Sequence, residues 1–293
     1  MQRTTPEAPS LLGRLTIRHA GSLTRLCAEI NREFHRLYPE VEIIDVGGGG
    51  VQMAREVAAG KECDIYASVD YSNIPNLMMP DLADWYVVFA STGFVLRYTD
   101  KSKYANQVNA TNWFEILQRD DVAFWRSDPE GDPAGYRTLM VLQLAEQYYG
   151  VPGLCQRLAE KSEKQFLSVH FLEERDTGYA FSYSSHLMGG KSVRLPDAIN
   201  LSSDAFEGNY RKASVTIQSL KPGITVDIKG ERIRIGLTIL KNSTNRGAAT
   251  AWVQLILSEV GAAMIREAGK CPLNPTFEGD LTKLPFIPGK HSK

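Results

Sequence analysis

Two short turns carry the residues whose types and spacing could do chemistry. One is His19-Ala20-Gly21-Ser22-Leu23. The other is Gly47-Gly48-Gly49-Gly50 followed by Val51. Each follows an apolar, strand-like run and precedes helix-like spacing. A small-residue turn between strand and helix lets backbone N–H groups approach a ligand, and the helix N-terminus adds partial positive charge. Three ligands suit such a turn: a dinucleotide, a methyl donor or a bare anion.

A dinucleotide site needs G-x-G-x-x-G or G-x-G-x-x-A. Counted from Gly47 the last position is Gln52, and from Gly48 it is Met53. Counted from Gly49 it is Ala54, but the middle position is then Val51. No register fits. The acidic residue that such sites place about 20 positions on would fall near Asp64 or Asp70, for which solvated-loop or cap roles are the simpler expectation. The methyl-donor turn D-x-G-x-G-x-G is met at Asp45, Gly47 and Gly49 and missed at Val51. An S-adenosylmethionine-dependent methyltransferase is therefore the enzyme alternative. An anion cradle requires no fixed pattern, only successive N–H groups at a helix start. The Ser22 hydroxyl adds a donor there, although Ser22 also sits where a helix N-cap belongs. Two such turns at corresponding strand ends can converge on one small anion.

The elements that must position these turns can be read from periodicity. Residues 14–20 and 41–46 read as strands. Leu23, Leu26, Cys27, Ile30, Phe34 and Leu37 recur at helical spacing. Residues 51–60 form a short helix closed by Gly60, and 63–69 a third strand. This β-α-β-α-β rhythm predicts an α/β fold with a parallel sheet, whose ligands bind at the carboxyl ends of the strands. Residues 85–99 read as one aromatic, β-branched strand. A strong helix spans 138–149, and strands follow near 213–240. Residues 245–269 read as a single helix, followed by a proline-dotted tail.

Composition narrows the function classes. The chain has 293 residues, 43% hydrophobic and 23% charged, with a net charge of −1. That balance gives no global attraction to nucleic acid or to an acidic membrane. Any anion must be held by local geometry. No apolar run reaches the ~20 residues needed to span a bilayer. The first 21 residues have no apolar core, so no export signal is expected in this chain. Cys27, Cys63, Cys155 and Cys271 are scattered and read as buried free thiols rather than a zinc site. The five histidines show no metal-ligand spacing, and His19 is expected to be structural.

Several blocks together resemble one family. They are HAGSL at 19–23, CDIYASVDYSNIPNLM at 63–78, DLADWYVVFA at 81–90, DPAGYRTLMVLQLAEQYY at 132–149 and GLTILKNSTNRGAATAWVQLILSEVG at 236–261. The family is the molybdate/tungstate-binding proteins of ABC importers, in the archaeal tungstate/molybdate receptor branch. The resemblance runs from about residue 15 to 269. It implies a type II periplasmic-binding-protein fold, in which two α/β lobes close over an oxyanion in a hinged cleft. It implies a first lobe from 13–97 and 211–278, a second from 98–210, and a tail at 279–293. It also implies no enzymatic activity, no cofactor, molybdate or tungstate as ligand, and a membrane ABC permease as partner. A monomeric chain located in the periplasm or outside the cell follows from the same likeness.

The resemblance carries over to particular residues. Gly21 and Ser22 match the first anion-binding turn. The second turn of the family ends in Ser, and Gly50 stands in its place, so Gly49 and Gly50 offer backbone N–H groups only. Asp132 matches an Asp that reaches the metal centre of the bound oxyanion. It also suits an N-cap role on local sequence. Ala134 and Gly135 would lend N–H groups, while Arg137 is expected in a structural ion pair. Ser182 replaces a coordinating Glu, and Tyr183 matches a Tyr that can bond the anion. These replacements favour a tetrahedral oxyanion held by N–H and O–H donors over expanded coordination, with a diverged receptor for another anion or metal species as the alternative.

Overall fold

The computed structural model describes residues 11–164, 174, 177–184 and 191–287. The chain opens with β1 (Gly13–Ala20), α1 (Thr24–Leu37), β2 (Val41–Gly48), α2 (Gly50–Ala58) and β3 (Ile65–Ser68). As the alternation predicts, β1 pairs in parallel with β2 and with β3. α1 turns Leu26, Cys27, Ile30 and Phe34 inward, while Leu37 at its end is exposed. The sheet gains β4 (Trp85–Ser91), β12 (Arg234–Ile239) and β13 (Cys271–Gly279), in the order β13-β4-β12-β3-β1-β2. β12 runs antiparallel to both β3 and β4.

The second sheet has the order β7-β6-β8-β5-β9. It is built from β5 (Phe94–Tyr98), β6 (Phe124–Arg126), β7 (Glu163–Lys164), β8 (Tyr179–Tyr183) and β9 (Lys191–Arg194). Helices α3 (Trp113–Leu117), α4 (Pro133–Tyr149) and α5 (Leu154–Lys161) belong to this half. Its core is aromatic: Phe94 stacks on Phe181 at 5.9 Å, and Trp113 meets Phe181 edge-on at 5.4 Å. A short helix α6 (Glu207–Tyr210) precedes a separate hairpin, β10 (Ser214–Gln218) and β11 (Thr225–Lys229). Helices α7 (Arg246–Ile256) and α8 (Glu259–Glu267) complete the first half.

Four sequence expectations need correction. The run 85–99 is two strands in different sheets. Thr92 and Gly93 cross between them, so the first half ends near residue 91 and not 97. Return to the first sheet comes with β12 and not at 211. The hairpin instead docks on α4, where the Gln143 side chain exchanges two 2.9 Å bonds with the Ser214 backbone. The helix expected over 245–269 breaks into α7 and α8, which are bent by 68°. Ser258 Oγ accepts from Gly261 N at 3.2 Å, a new cap that apolar periodicity does not reveal. The proline-dotted tail holds β13. It lies at the sheet edge, where proline's missing N–H is tolerated, and its register shifts between Pro272 and Thr276.

Asp64 is buried rather than solvated. Its Oδ2 accepts from Thr16 N at 2.8 Å. Its Oδ1 accepts from Ser243 Oγ at 2.7 Å and from the amides of Thr244 and Asn245 at 2.8 and 3.1 Å. One carboxylate thus ties β1 to the start of α7. Asp64→Asn turns an acceptor-only group into one that presents donors to donors. The urea midpoint of the variant should fall by the equivalent of about 3 kcal/mol; an unchanged midpoint would remove Asp64 from this role.

Candidate functional site

The two small-residue turns lie side by side at the carboxyl ends of β1 and β2. His19 is opposite Gly47 and Ala20 opposite Gly48 in the parallel register. A Cβ on Gly21 would lie 3.6 Å from the Gly48 carbonyl oxygen. Ser22 does not cap α1. That helix is preceded by Leu23, which makes no side-chain cap, and Ser22 sits inside a single 3-10 turn, Gly21–Leu23. Its Oγ is buried and makes no hydrogen bond. A buried hydroxyl without a partner costs free energy, so a site at which one is kept calls for an explanation.

The second turn is closed from the other half of the molecule. Gly47 and Gly48 extend β2, Gly49 precedes α2, and Gly50 is its first residue. A Cβ on Gly49 would collide with the carbonyl oxygen of Gly131, and it would lie 3.5 Å from Asp132 Cβ. A Cβ on Gly50 would stand 3.2 Å from the ring of Pro133, the first residue of α4. The N-termini of two helices therefore lie against each other. The amide of Gln52 donates to Gly131 O at 2.9 Å across this contact. The other early amides of α2, on Gly50 and Val51, have no acceptor within their own helix.

Asp132 is the N-cap of α4, which begins five residues earlier than periodicity suggests. Its Oδ1 accepts from Ala134 N at 2.9 Å, and its carbonyl accepts from Gly135 N at 2.9 Å. The N–H groups of Ala134 and Gly135 are therefore already engaged. A Cβ on Gly135 would lie 2.5 Å from Ser127 O and from Pro129 N, so this glycine serves close packing under the turn. Burial raises the Asp132 carboxyl above its ordinary range, offset in part by the Ala134 amide and the nearby Ser127 hydroxyl. Ser127 Oγ itself is buried and forms no hydrogen bond of good geometry. Sequence reading missed Ser127; its only signal is a hydroxyl residue directly after a strand, close to the Asp132 turn.

Tyr183 ends β8 on the same side as these groups. Its phenol is raised well above its usual value by burial, then by the Asp132 and Asp70 charges. Tyr183 also packs edge-on to Phe94 at 5.2 Å. Ser182 immediately precedes it in the strand, and successive side chains of a strand face opposite sides. The structure thus brings Ser22, Gly49, Gly50, Asp132 and Tyr183 to the junction of the halves, with Ser182 on the other face of β8.

Behind the junction lies a buried ion pair. Arg137 and Asp70 are fully enclosed, with Nη2 2.6 Å from Oδ2. Tyr136 OH donates to the same Oδ2 at 2.6 Å, and Ser72 N donates to Oδ1 at 3.1 Å. Arg137 thus forms the ion pair expected of it, whereas Asp70 is not solvated. Farther out, Arg55 on α2 pairs with Glu130 at 2.9 Å.

Residues 15–269 match the family described as bacterial extracellular solute-binding protein. The chain belongs to that family. It is 34% identical over 287 residues to an uncharacterized solute-binding protein of Petrotoga mobilis, covering 95% of this chain and 89% of the relative. It is 35% identical over 301 residues to the molybdate/tungstate-binding protein WtpA of Pyrococcus abyssi, covering 89% and 85%. Among solved structures, the periplasmic molybdate-binding protein of Azotobacter vinelandii superposes with a TM-score of 0.62 at 14% identity, covering 87% of this chain and 98% of that one. That likeness fixes the fold as the periplasmic-binding-protein type. Solute-binding proteins of this family are not enzymes, and the methyltransferase alternative falls with that. The geometry gives the reason: Gly49 is covered by Gly131, and Asp45 lies 3.1 Å from His19 Nε2.

The raised Asp132 carboxyl sets the sign of one pH effect. A carboxyl that is harder to ionise in the folded than in the unfolded state costs stability once the pH rises through its folded value. Asp132→Asn keeps an oxygen for the Ala134 amide without the charge. The variant should be more stable than the parent at neutral pH, with the gap closing as pH falls through the raised value toward the ordinary carboxyl range. Thermal melts of both proteins across that range check it. A gap that is constant with pH would contradict the assignment.

Proposed function

We propose that this solute-binding protein captures a small tetrahedral oxyanion, of the molybdate/tungstate kind, between its lobes and delivers it to a membrane ABC permease outside the cytoplasm. The observation that carries this reading is the close approach of the starts of α2 and α4, near a turn whose Ser22 hydroxyl is buried without a hydrogen bond. Each helix N-terminus bears roughly half a positive charge. Two of them brought together repel, and an anion between them turns that repulsion into attraction. The 35% identity to a protein named for molybdate and tungstate supports the choice of anion.

In this reading Ser22, through hydroxyl and amide, and the amides of Gly49 and Gly50 donate to the oxyanion from the first lobe. Gly21 permits the close approach. Tyr183 donates from the second lobe, and Asp132 orders the start of α4. Tetrahedral binding fits better than expanded coordination around the metal. Gly50 supplies no side chain, Ser182 is a poor ligand for a hexavalent metal, and Asp132 is engaged in capping. The chain works as a monomer whose two lobe faces together present the loaded state to the permease.

Isothermal titration with molybdate, tungstate, sulfate and phosphate tests the proposal. Saturable heat at one anion per chain is expected with molybdate or tungstate, and absence of heat with all four would overturn the reading. Ser22→Ala should weaken binding about 10-fold or more, as for loss of a hydrogen bond to a charged group.

Gly49→Ala tests the closure itself. Its methyl group meets the Gly131 backbone, so the lobes should be held apart. Affinity should fall at least as far as in Ser22→Ala, and small-angle scattering with saturating anion should report a larger radius of gyration than for the parent. Equal radii would show that the Gly49 contact does not limit closure.

A further inference from the structure

On the side of the first sheet covered by α1 lies a cluster the oxyanion reading does not use. His19 on β1, Cys27 on α1 and Asp45 on β2 bring one nitrogen, one sulfur and one oxygen within 4.8 Å of one another. The sequence gives no hint of it, because these residues lie on three elements with no motif spacing. β2 is the edge strand, and Asp45 is exposed, so the cluster can be reached from solvent. His19 and Cys27 are buried.

The histidine is oriented as metal ligands are. Its Nδ1 lies 2.8 Å from the Ala20 carbonyl oxygen, which can only accept, so the proton belongs on Nδ1. That leaves a lone pair on Nε2 in the neutral ring. A backbone carbonyl holding one ring nitrogen while the other binds metal is the usual outer-shell arrangement. The Asp45 oxygen stands 3.1 Å from Nε2, yet Nε2 forms no aligned hydrogen bond and is fully buried. In the neutral ring that lone pair and the carboxylate repel, and a metal cation between them would turn the contact into an attraction. Gly47 leaves room for the ring, since a Cβ there would stand 2.9 Å from His19 Cε1.

We propose that His19 Nε2, Cys27 Sγ and Asp45 form a site for a thiophilic divalent cation of the zinc class, with water completing the coordination. Mixed nitrogen, sulfur and carboxylate ligands suit zinc at four-coordination, and calcium or magnesium would prefer all-oxygen sites. On binding, the Cys27 thiol loses its proton to water. One thiolate and one carboxylate then balance the two positive charges, which leaves a neutral centre compatible with burial. Lys270 faces Cys27 as an opposing cation, with Arg25 near it. The site would clip β1, β2 and α1 together directly behind both small-residue turns.

The test uses the full chain, stripped with chelator and dialysed against zinc chloride. Elemental analysis after gel filtration should find one zinc per chain, and zinc should raise the melting temperature. Cobalt should give thiolate-to-metal absorption in the near ultraviolet that is lost in Cys27→Ser. Asp45→Asn, at an exposed position, should fold normally and weaken zinc binding by at least about 10-fold. Ser22→Ala and Cys271→Ser should leave it unchanged, which separates this site from the oxyanion site and from the exposed thiol. No retained zinc, or zinc retained equally by Cys27→Ser and Asp45→Asn, would overturn the proposal.

Discussion

The contact between Asp70 and Arg137 sets the relation of the two halves. Asp70 follows β3 in the first half, and Arg137 lies in the first turns of α4 in the second. Two fully buried charges are costly to desolvate and are tolerated only when nearly every donor and acceptor is met. Here Tyr136 OH, the Ser72 amide and the Glu231 carbonyl complete most of the set. Such a pair is sensitive to small displacements, since either charge left alone would be strongly unfavourable. It therefore fixes where α4 begins relative to the ends of β1, β2 and β3. The approach of Gly131 to Gly49 follows from that placement.

The four consecutive glycines then have four separate reasons. Gly47 leaves room for the His19 ring, and Gly48 for Met53, whose Cε would be 2.8 Å from an added Cβ. Gly49 admits the Gly131 carbonyl, and Gly50 lies against Pro133. None of these is the close approach of a nucleotide phosphate. A nucleotide pattern matches part of the run because tight backbone packing and phosphate binding make the same demand, the absence of a side chain.

Much of the first half was legible because its elements are short and strongly patterned. The parallel β1, β2 and β3 and the inward stripe of α1 emerged from periodicity and caps. What was missed was set by tertiary context. The break between α7 and α8 depends on Ser258 acting as a cap, a role that any helical serine could have. β13 is a strand despite its prolines only because it lies at an edge. The crossing at Thr92 and Gly93 has no apolar signature, since both flanking strands are buried and equally aromatic. In the site, the two turns were visible as small-residue runs, and the engaged amides of Ala134 and Gly135 were not. The His19, Cys27 and Asp45 cluster was invisible for a stronger reason. It exists only once β1, β2 and α1 are stacked.

The electrostatics of the junction also say how a ligand can couple to closure. Arg137 cannot serve as a free counter-charge for an incoming dianion, because its guanidinium is committed to Asp70 and to the carbonyl of Glu231. The positive potential must come instead from backbone dipoles, at the starts of α2 and α4. With the lobes apart, these termini are solvated and do not interact. With the lobes together and no anion between, two like partial charges are held in a region of low dielectric. An anion interacts favourably with both termini only in the closed arrangement. It therefore binds the two states with different free energies, which is the condition for a ligand to drive a conformational change. Asp132 limits how far this can go. A recessed carboxylate at the start of α4 opposes a second negative charge. With no free cationic side chain among the groups named at the junction, shape and the number of backbone and hydroxyl donors are what such a cradle has for telling one anion from another.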